Sequence, residues 1–147
     1  MWGLDLIGPM PTETKGGAKH TIVAVDYFTK WAEAEALVHI TEANTTNFVK
    51  KNIIYRFGIP SIIITDNGTQ FKKSKFREMC EEYKIVNYYA SPAHPQTNGQ
   101  IEAVNKVIKH TLKAKLESRK GCWADKLPEV LWAYRTTMRS YGHTEQL

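Results

Sequence analysis

Three strand-type runs crowd into the first 38 residues, and from Thr41 onward helical and strand-type segments alternate. Strands grouped first and alternation afterwards specify a mixed sheet flanked by helices. Leu4 to Ile7, closed by Gly8-Pro9, is the first strand; His20 to Phe28, β-branched and apolar, is the second; Trp31 to Val38 alternates as the third. Thr41 is an N-cap for a helix through Phe48, Val49, Ile53 and Phe57, stopped by Gly58-Ile59-Pro60. Ser61 to Thr65 reads as a fully buried strand ended by Asp66-Asn67-Gly68, Gln70 to Tyr83 as a second helix and Ile85 to Tyr89 as the fifth strand. After a loop from Ser91 to Asn98 with two prolines, Ile101, Val104, Ile108, Leu112 and Leu116 fall at helical spacing along one amphipathic helix. Trp123 to Thr137 is the last helix, and Trp31, Trp123 and Trp132 are expected in the core.

With 147 residues and no Pro/Gly/Ser-rich linker or internal repeat, residues 1–147 are expected to form a single domain. A 42% hydrophobic and 24% charged composition excludes disorder and collagen-like architecture, and no apolar run approaches the roughly 20 residues of a membrane span. Met1-Trp2-Gly3-Leu4-Asp5 opens without a basic n-region, apolar h-region or small-residue cleavage site, so secretion is not expected. Two cysteines, Cys80 and Cys122, build neither a disulfide framework nor a Cys-rich zinc site, which fits a reducing compartment. Lys and Arg exceed Asp and Glu by five, compatible with a polyanionic partner.

Asp5 stands inside an apolar strand, where an unpaired carboxylate costs several kcal/mol, so it requires a partner, a metal or a raised pKa. Asp66 follows the apolar run Ile62-Ile63-Ile64-Thr65, at the strand end where open α/β sheets place ligands, although Asp-Asn-Gly is also an ordinary turn. Glu102 lies on the long helix beside its apolar stripe, a position that also suits a solvated Glu. Sixty residues separate Asp5 from Asp66 and 35 separate Asp66 from Glu102. Carboxylates on two strands and a helix can converge on hard divalent cations, and two such ions can clamp the oxygens of an in-line phosphoryl displacement.

In this arrangement the sequence resembles the catalytic core of retroviral and retrotransposon integrases, the D,D(35)E group of the ribonuclease H-like superfamily, and in particular Ty3/gypsy-type elements. The resemblance rests on Trp2-Gly3-Leu4-Asp5-Leu6-Ile7-Gly8-Pro9, Val25-Asp26-Tyr27-Phe28-Thr29-Lys30, Ile64-Thr65-Asp66-Asn67-Gly68-Thr69-Gln70-Phe71 and His94-Pro95-Gln96-Thr97-Asn98-Gly99-Gln100-Ile101-Glu102. Leu131-Trp132-Ala133-Tyr134-Arg135-Thr136-Thr137 extends it to nearly the whole chain. It implies an α/β fold with a mixed five-stranded sheet, strands one to three antiparallel, flanked by helices. It also implies that Asp5, Asp66 and Glu102 are catalytic metal ligands for two Mg²⁺ or Mn²⁺ ions, and that Asp26 is not a ligand. The implied reaction is 3′-end processing by water, then strand transfer in which the exposed 3′ hydroxyls attack target DNA. Dimers or larger assemblies, a nuclear destination and a cytoplasmic particle before entry follow from the same resemblance.

Glu102, Lys106, Lys109 and Lys113 recur at steps of four, three and four along one helix face. An i,i+4 pair on a solvated face explains them equally well from spacing alone; the resemblance makes Lys106 and Lys109 DNA contacts, with Asn105 and Lys113 beside them. Gln96, Asn98 and Gln100, in the loop Ser91 to Gln100, are candidates for bonds to bases or phosphates, while His94 has no ligand partner at useful spacing. Lys72, Lys73 and Lys75 form a short basic cluster that reads first as a solvated helix start, with a DNA contact as the alternative. The zinc-binding and carboxy-terminal domains usual in such integrases are not expected within these residues, and Ser140 to Leu147 departs from the family pattern. Two other readings stay open: a non-catalytic DNA-binding or dimerisation remnant, and an RNA/DNA-hybrid nuclease on the same fold.

Overall fold

Along Trp2–Ile7 (β1) the side chains alternate: Trp2, Leu4 and Leu6 enter one apolar cluster, and Ile7 enters another on the opposite face, the face to which Gly3 and Asp5 belong. The computed structural model describes residues 1–11, 14–65, 71, 73–89 and 95–145, with side chains over 1–11, 14–65, 71, 73–89 and 106–137. β2 (His20–Asp26) pairs antiparallel with β1, Asp5 facing Val23, and β3 (Ala32–Leu37) pairs antiparallel with β2. β4 (Ile62–Thr65) and β5 (Val86–Tyr89) add in parallel on the other side of β1, giving the order β3-β2-β1-β4-β5. This is the expected mixed five-stranded sheet.

Each parallel addition needs a crossover, and a helix supplies it. Helix α1 is α-helical over Glu42–Val49, π-helical over Lys50–Ile54 and closes in one turn, Tyr55–Phe57. Thr41 caps it, its Oγ1 accepting from Asn44 N at 3.1 Å, and Gly58 ends it at φ +97°. Helix α2 (Ser74–Glu82) joins β4 to β5 and buries Phe76, Met79 and Cys80. These two helices cover the Trp2–Leu4 face. Helices α3 (Pro95–Glu117) and α4 (Leu127–Glu145) cover the Asp5 face, with Ile108, Leu112, Leu116, Trp123, Val130, Leu131 and Tyr134 against Ile7, Val23 and Val25. At the end of β1 Gly8 adopts φ +133°, and a Cβ there would stand 2.8 Å from both the Lys19 carbonyl oxygen and the His20 ring.

Several boundaries differ from the expected ones for local reasons. The second strand stops at Asp26, not Phe28, because its carboxylate accepts from Phe28 N at 3.2 Å and Thr29 Oγ1 at 2.9 Å and bends the chain into a turn. The third strand starts at Ala32. β5 starts at Val86 because Ile85 N is taken by the Cys80 carbonyl at 2.7 Å, closing the end of α2. Residues 95–100, expected as loop, are helical, opened by Pro95, a residue suited to a first helical turn. The last helix begins at Leu127 because Lys120–Cys122 forms a 3₁₀ turn, and it continues through Ser140 to Glu145.

Of the tryptophans expected inside, Trp123 is fully buried, while Trp31 is half-buried and Trp132 is 68% exposed. Val130, Leu131 and Tyr134 carry the buried stripe of α4, and a residue two positions from Val130 and from Tyr134 faces away from that stripe. Trp132 is therefore a surface residue, contrary to expectation.

Candidate active site

Asp5 occupies the middle of the central strand, and its side chain is 36% exposed. Its Oδ1 accepts from Leu6 N at 2.8 Å and from Lys109 Nζ at 3.0 Å. The partner that an acidic residue in an apolar strand requires is thus an ammonium carried by α3. The register Gly3↔Ile64 sets Thr65, the last residue of β4, one step further along, beside Leu4. Asp66 is the next residue of the chain and lies outside the described residues. Glu102 belongs to α3, seven residues and so about two turns before Lys109, and its side chain also lies outside them.

Lys106 is exposed on α3, and Lys113 pairs with Glu117 at 3.8 Å, an i,i+4 contact. Gln96, Asn98, Gln100 and Asn105 are positions of α3 whose side chains lie outside the described residues, and Lys72 and His94 lie outside them altogether. Lys73 precedes α2, and the Lys75 backbone N–H donates to Glu42 Oε1 at 2.5 Å, consistent with a solvated helix start. Among the described residues no group of three or more His, Cys, Asp or Glu is placed to hold a metal ion. The one described acid of the three offers hard oxygen donors and already holds a cation, Lys109, so its chemistry suits a divalent metal.

A second carboxylate carries a different job. Glu33, 4% exposed on edge strand β3, meets Arg135 at 3.1 Å, Arg56 at 3.4 Å and the Trp31 indole N–H at 2.9 Å. Arg135 also donates twice to the Ala32 carbonyl and lies 4.2 Å over the Trp31 ring. Tyr134 adds a hydroxyl bond to the Lys30 carbonyl at 2.7 Å. Together Arg135 and Tyr134 clamp α4 to the sheet edge, and the buried Glu33 carboxylate is satisfied by its hydrogen-bonded and ionic partners. Sequence reasoning missed this clamp, though Arg135 sat within a motif already marked. Burial pushes the Tyr134 hydroxyl up to about 12 and the Cys80 thiol up to about 11, with the neighbouring Glu81 charge adding to the latter. Burial, and then the Lys19 charge, lowers the His20 pKa.

The sequence and the fold match known proteins. The integrase core domain family matches residues 1–95, and the chain belongs to that family in its retroviral type. It is 34% identical over 124 residues to the Gag-Pol polyprotein of Avian reticuloendotheliosis virus, covering 84% of this chain and 11% of that one. Against the Pol polyprotein of Radiation murine leukemia virus (strain Kaplan) it is 33% identical over 147 residues, covering 97% and 24%. It therefore spans a small part of the curated relatives it matches. Its fold matches a chain of the simian T-cell lymphotropic virus intasome solved with PP2A regulatory subunit B56 gamma, at TM-score 0.66 and 23% identity over 89% of this chain and 46% of that one.

Proposed function

We propose that this chain is the catalytic core of an LTR retrotransposon integrase, a polynucleotidyl transferase that processes DNA 3′ ends and joins them to target DNA. The observation that carries the reading is the Asp5–Lys109 pair: a carboxylate on the central strand held by a cation from the helix that also carries Glu102. Membership of the integrase core family supports it. Asp5, Asp66 and Glu102 would hold two Mg²⁺ or Mn²⁺ ions, which when bound supply an activated oxygen nucleophile and stabilise the charge of the leaving 3′ oxygen. The chain's own residues position the strand. Asp5 is fixed by two hydrogen bonds to one oxygen, Oδ1. Lys109 donates one of its three protons to Asp5, and the others face an incoming phosphate; Lys106, exposed one turn earlier, neutralises the next.

DNA is the partner in this reading, in a dimer or larger assembly that acts in the nucleus after a cytoplasmic particle stage. The matched relatives are retroviral; the retrotransposon origin rests on the Ty3/gypsy-like motifs. No helix among the described residues is long and apolar enough to cross a membrane. The test is Mn²⁺-dependent strand breaking and joining on a branched DNA substrate by this chain and its Glu102→Gln form. Activity in the former and none in the latter is expected. A folded chain that neither binds Mn²⁺ nor acts on the substrate would favour the non-catalytic remnant, and cleavage of RNA/DNA hybrid without joining would favour the hybrid nuclease.

A further inference from the structure

The sequence places two tyrosines side by side in β5, and the sheet sends them to opposite faces. Tyr89 packs beside the cluster under α1 and α2 and donates its hydroxyl to the Phe71 carbonyl at 2.9 Å. That residue has a structural task. Tyr88 is 55% exposed, and Val86, on the same side two residues earlier, is 48% exposed. The pairings Gly3↔Ile64 and Ile64↔Tyr88 place Tyr88 on the face of the sheet to which Asp5 belongs. Two strand spacings across and two residues along β1 separate the Tyr88 and Asp5 positions by about 12 Å. That span is about three to four nucleotides at the 3.4 Å rise of stacked DNA.

We propose that Tyr88, with Val86 beneath it, is a stacking platform for a base of the DNA strand whose phosphate is worked on at Asp5. The inference rests on the proposed integrase reading and deepens it by adding a contact on β5 that selects unpaired DNA over duplex. The occupant is nucleic acid because the flanking charge is cationic: Lys106 is exposed and Lys109 stands at Asp5 on the helix over this same face. A flat aromatic ring on an open sheet surface stacks on any base, so it holds a frayed or unpaired end without reading its sequence. A base within intact duplex has both faces already stacked and gains nothing from it. The platform therefore favours the unpaired nucleotides of a DNA end over the duplex interior.

The test is a titration of a branched DNA carrying 2-aminopurine, placed in turn at each of the four unpaired positions nearest the junction and once within the duplex. Three proteins are compared: the unaltered chain, Tyr88→Phe and Tyr88→Thr, the last keeping a β-branched residue in the strand. Circular dichroism confirms that each is folded. The expected result is quenching at an unpaired position with the unaltered chain and Tyr88→Phe, and none within the duplex. Tyr88→Thr loses the quench and binds about tenfold more weakly, the size of one base–aromatic stack. Quenching and affinity unchanged in folded Tyr88→Thr would overturn the platform and leave the integrase reading standing. An unaltered chain that binds no branched DNA would overturn both.

Discussion

The Lys109 ammonium lies 3.0 Å from Oδ1 of Asp5, across a sequence separation of 104 residues. It joins the helix that carries Glu102 to the strand at the centre of the sheet, and so sets a cationic side chain beside the first of the three acids.

Because the two side chains are 31% and 36% exposed, the pair adds little to stability. Lys109→Gln is expected to change the unfolding free energy by less than about 1 kcal/mol. It weakens DNA binding and lowers the slope of log affinity against log salt by about one, as loss of a single phosphate contact requires. Fluorescence anisotropy across a salt series, with urea denaturation beside it, reads both.

The Glu33 clamp behaves in the opposite way. Arg135 is 23% exposed where it meets Glu33, whereas Arg56 is 52% exposed. Arg135→Met strips the buried carboxylate of its better partner and uncovers the Ala32 carbonyl, at an expected cost of about 3 kcal/mol. Arg56→Met is expected to cost under about 1 kcal/mol. Urea denaturation of the two variants checks the order.

The order of elements was legible because the local signals agree: Thr41 and Gly58 bound α1, Gly8-Pro9 closes β1, and alternation marks β3. Of the candidate site, one carboxylate and its reason for needing a partner could be read from Asp5 alone. The identity of that partner could not, since pattern rules reach four residues along a helix and the Lys109 contact is long-range. The seven-residue step from Glu102 to Lys109 was the available clue, two turns on one helix face. Trp132 misled because hydrophobicity was read without its place on the α4 stripe. Glu33 looked like the polar half of an alternating strand, and only the approach of α4 makes it a buried anchor.

His20 gives the fold an acid-sensitive term. Its pKa is lowered in the folded chain, and its Nδ1 is buried with no hydrogen-bond partner among the described residues. The unfolded imidazole takes up a proton near pH 6.5 and the folded one only below that, so the unfolded state binds more protons in between. Stability is full above the unfolded value and falls as pH drops through it to the folded one. His20→Gln is expected to flatten that limb, seen as urea midpoints that vary less between about pH 5 and pH 8.

The two thiols separate by accessibility. Cys122 is exposed, and Cys80 is 4% exposed with its pKa pushed to about 11. In the native protein at neutral pH one thiol, Cys122, is expected to react with iodoacetamide, and Cys80 only after denaturation. Mass spectrometry of the alkylated chain before and after urea shows which reacts.

The most direct test of the central claim compares two aspartates of neighbouring strands. Asp5 is assigned to metal and DNA chemistry, whereas the Asp26 carboxylate caps the turn after β2 through Phe28 N and Thr29 Oγ1. Mn²⁺ affinity by calorimetry and Mn²⁺-dependent joining on branched DNA are measured for Asp5→Asn and Asp26→Asn. The account predicts that folded Asp5→Asn loses both Mn²⁺ binding and joining, while Asp26→Asn keeps both. Joining that survives in Asp5→Asn at the level of the unaltered chain would contradict it.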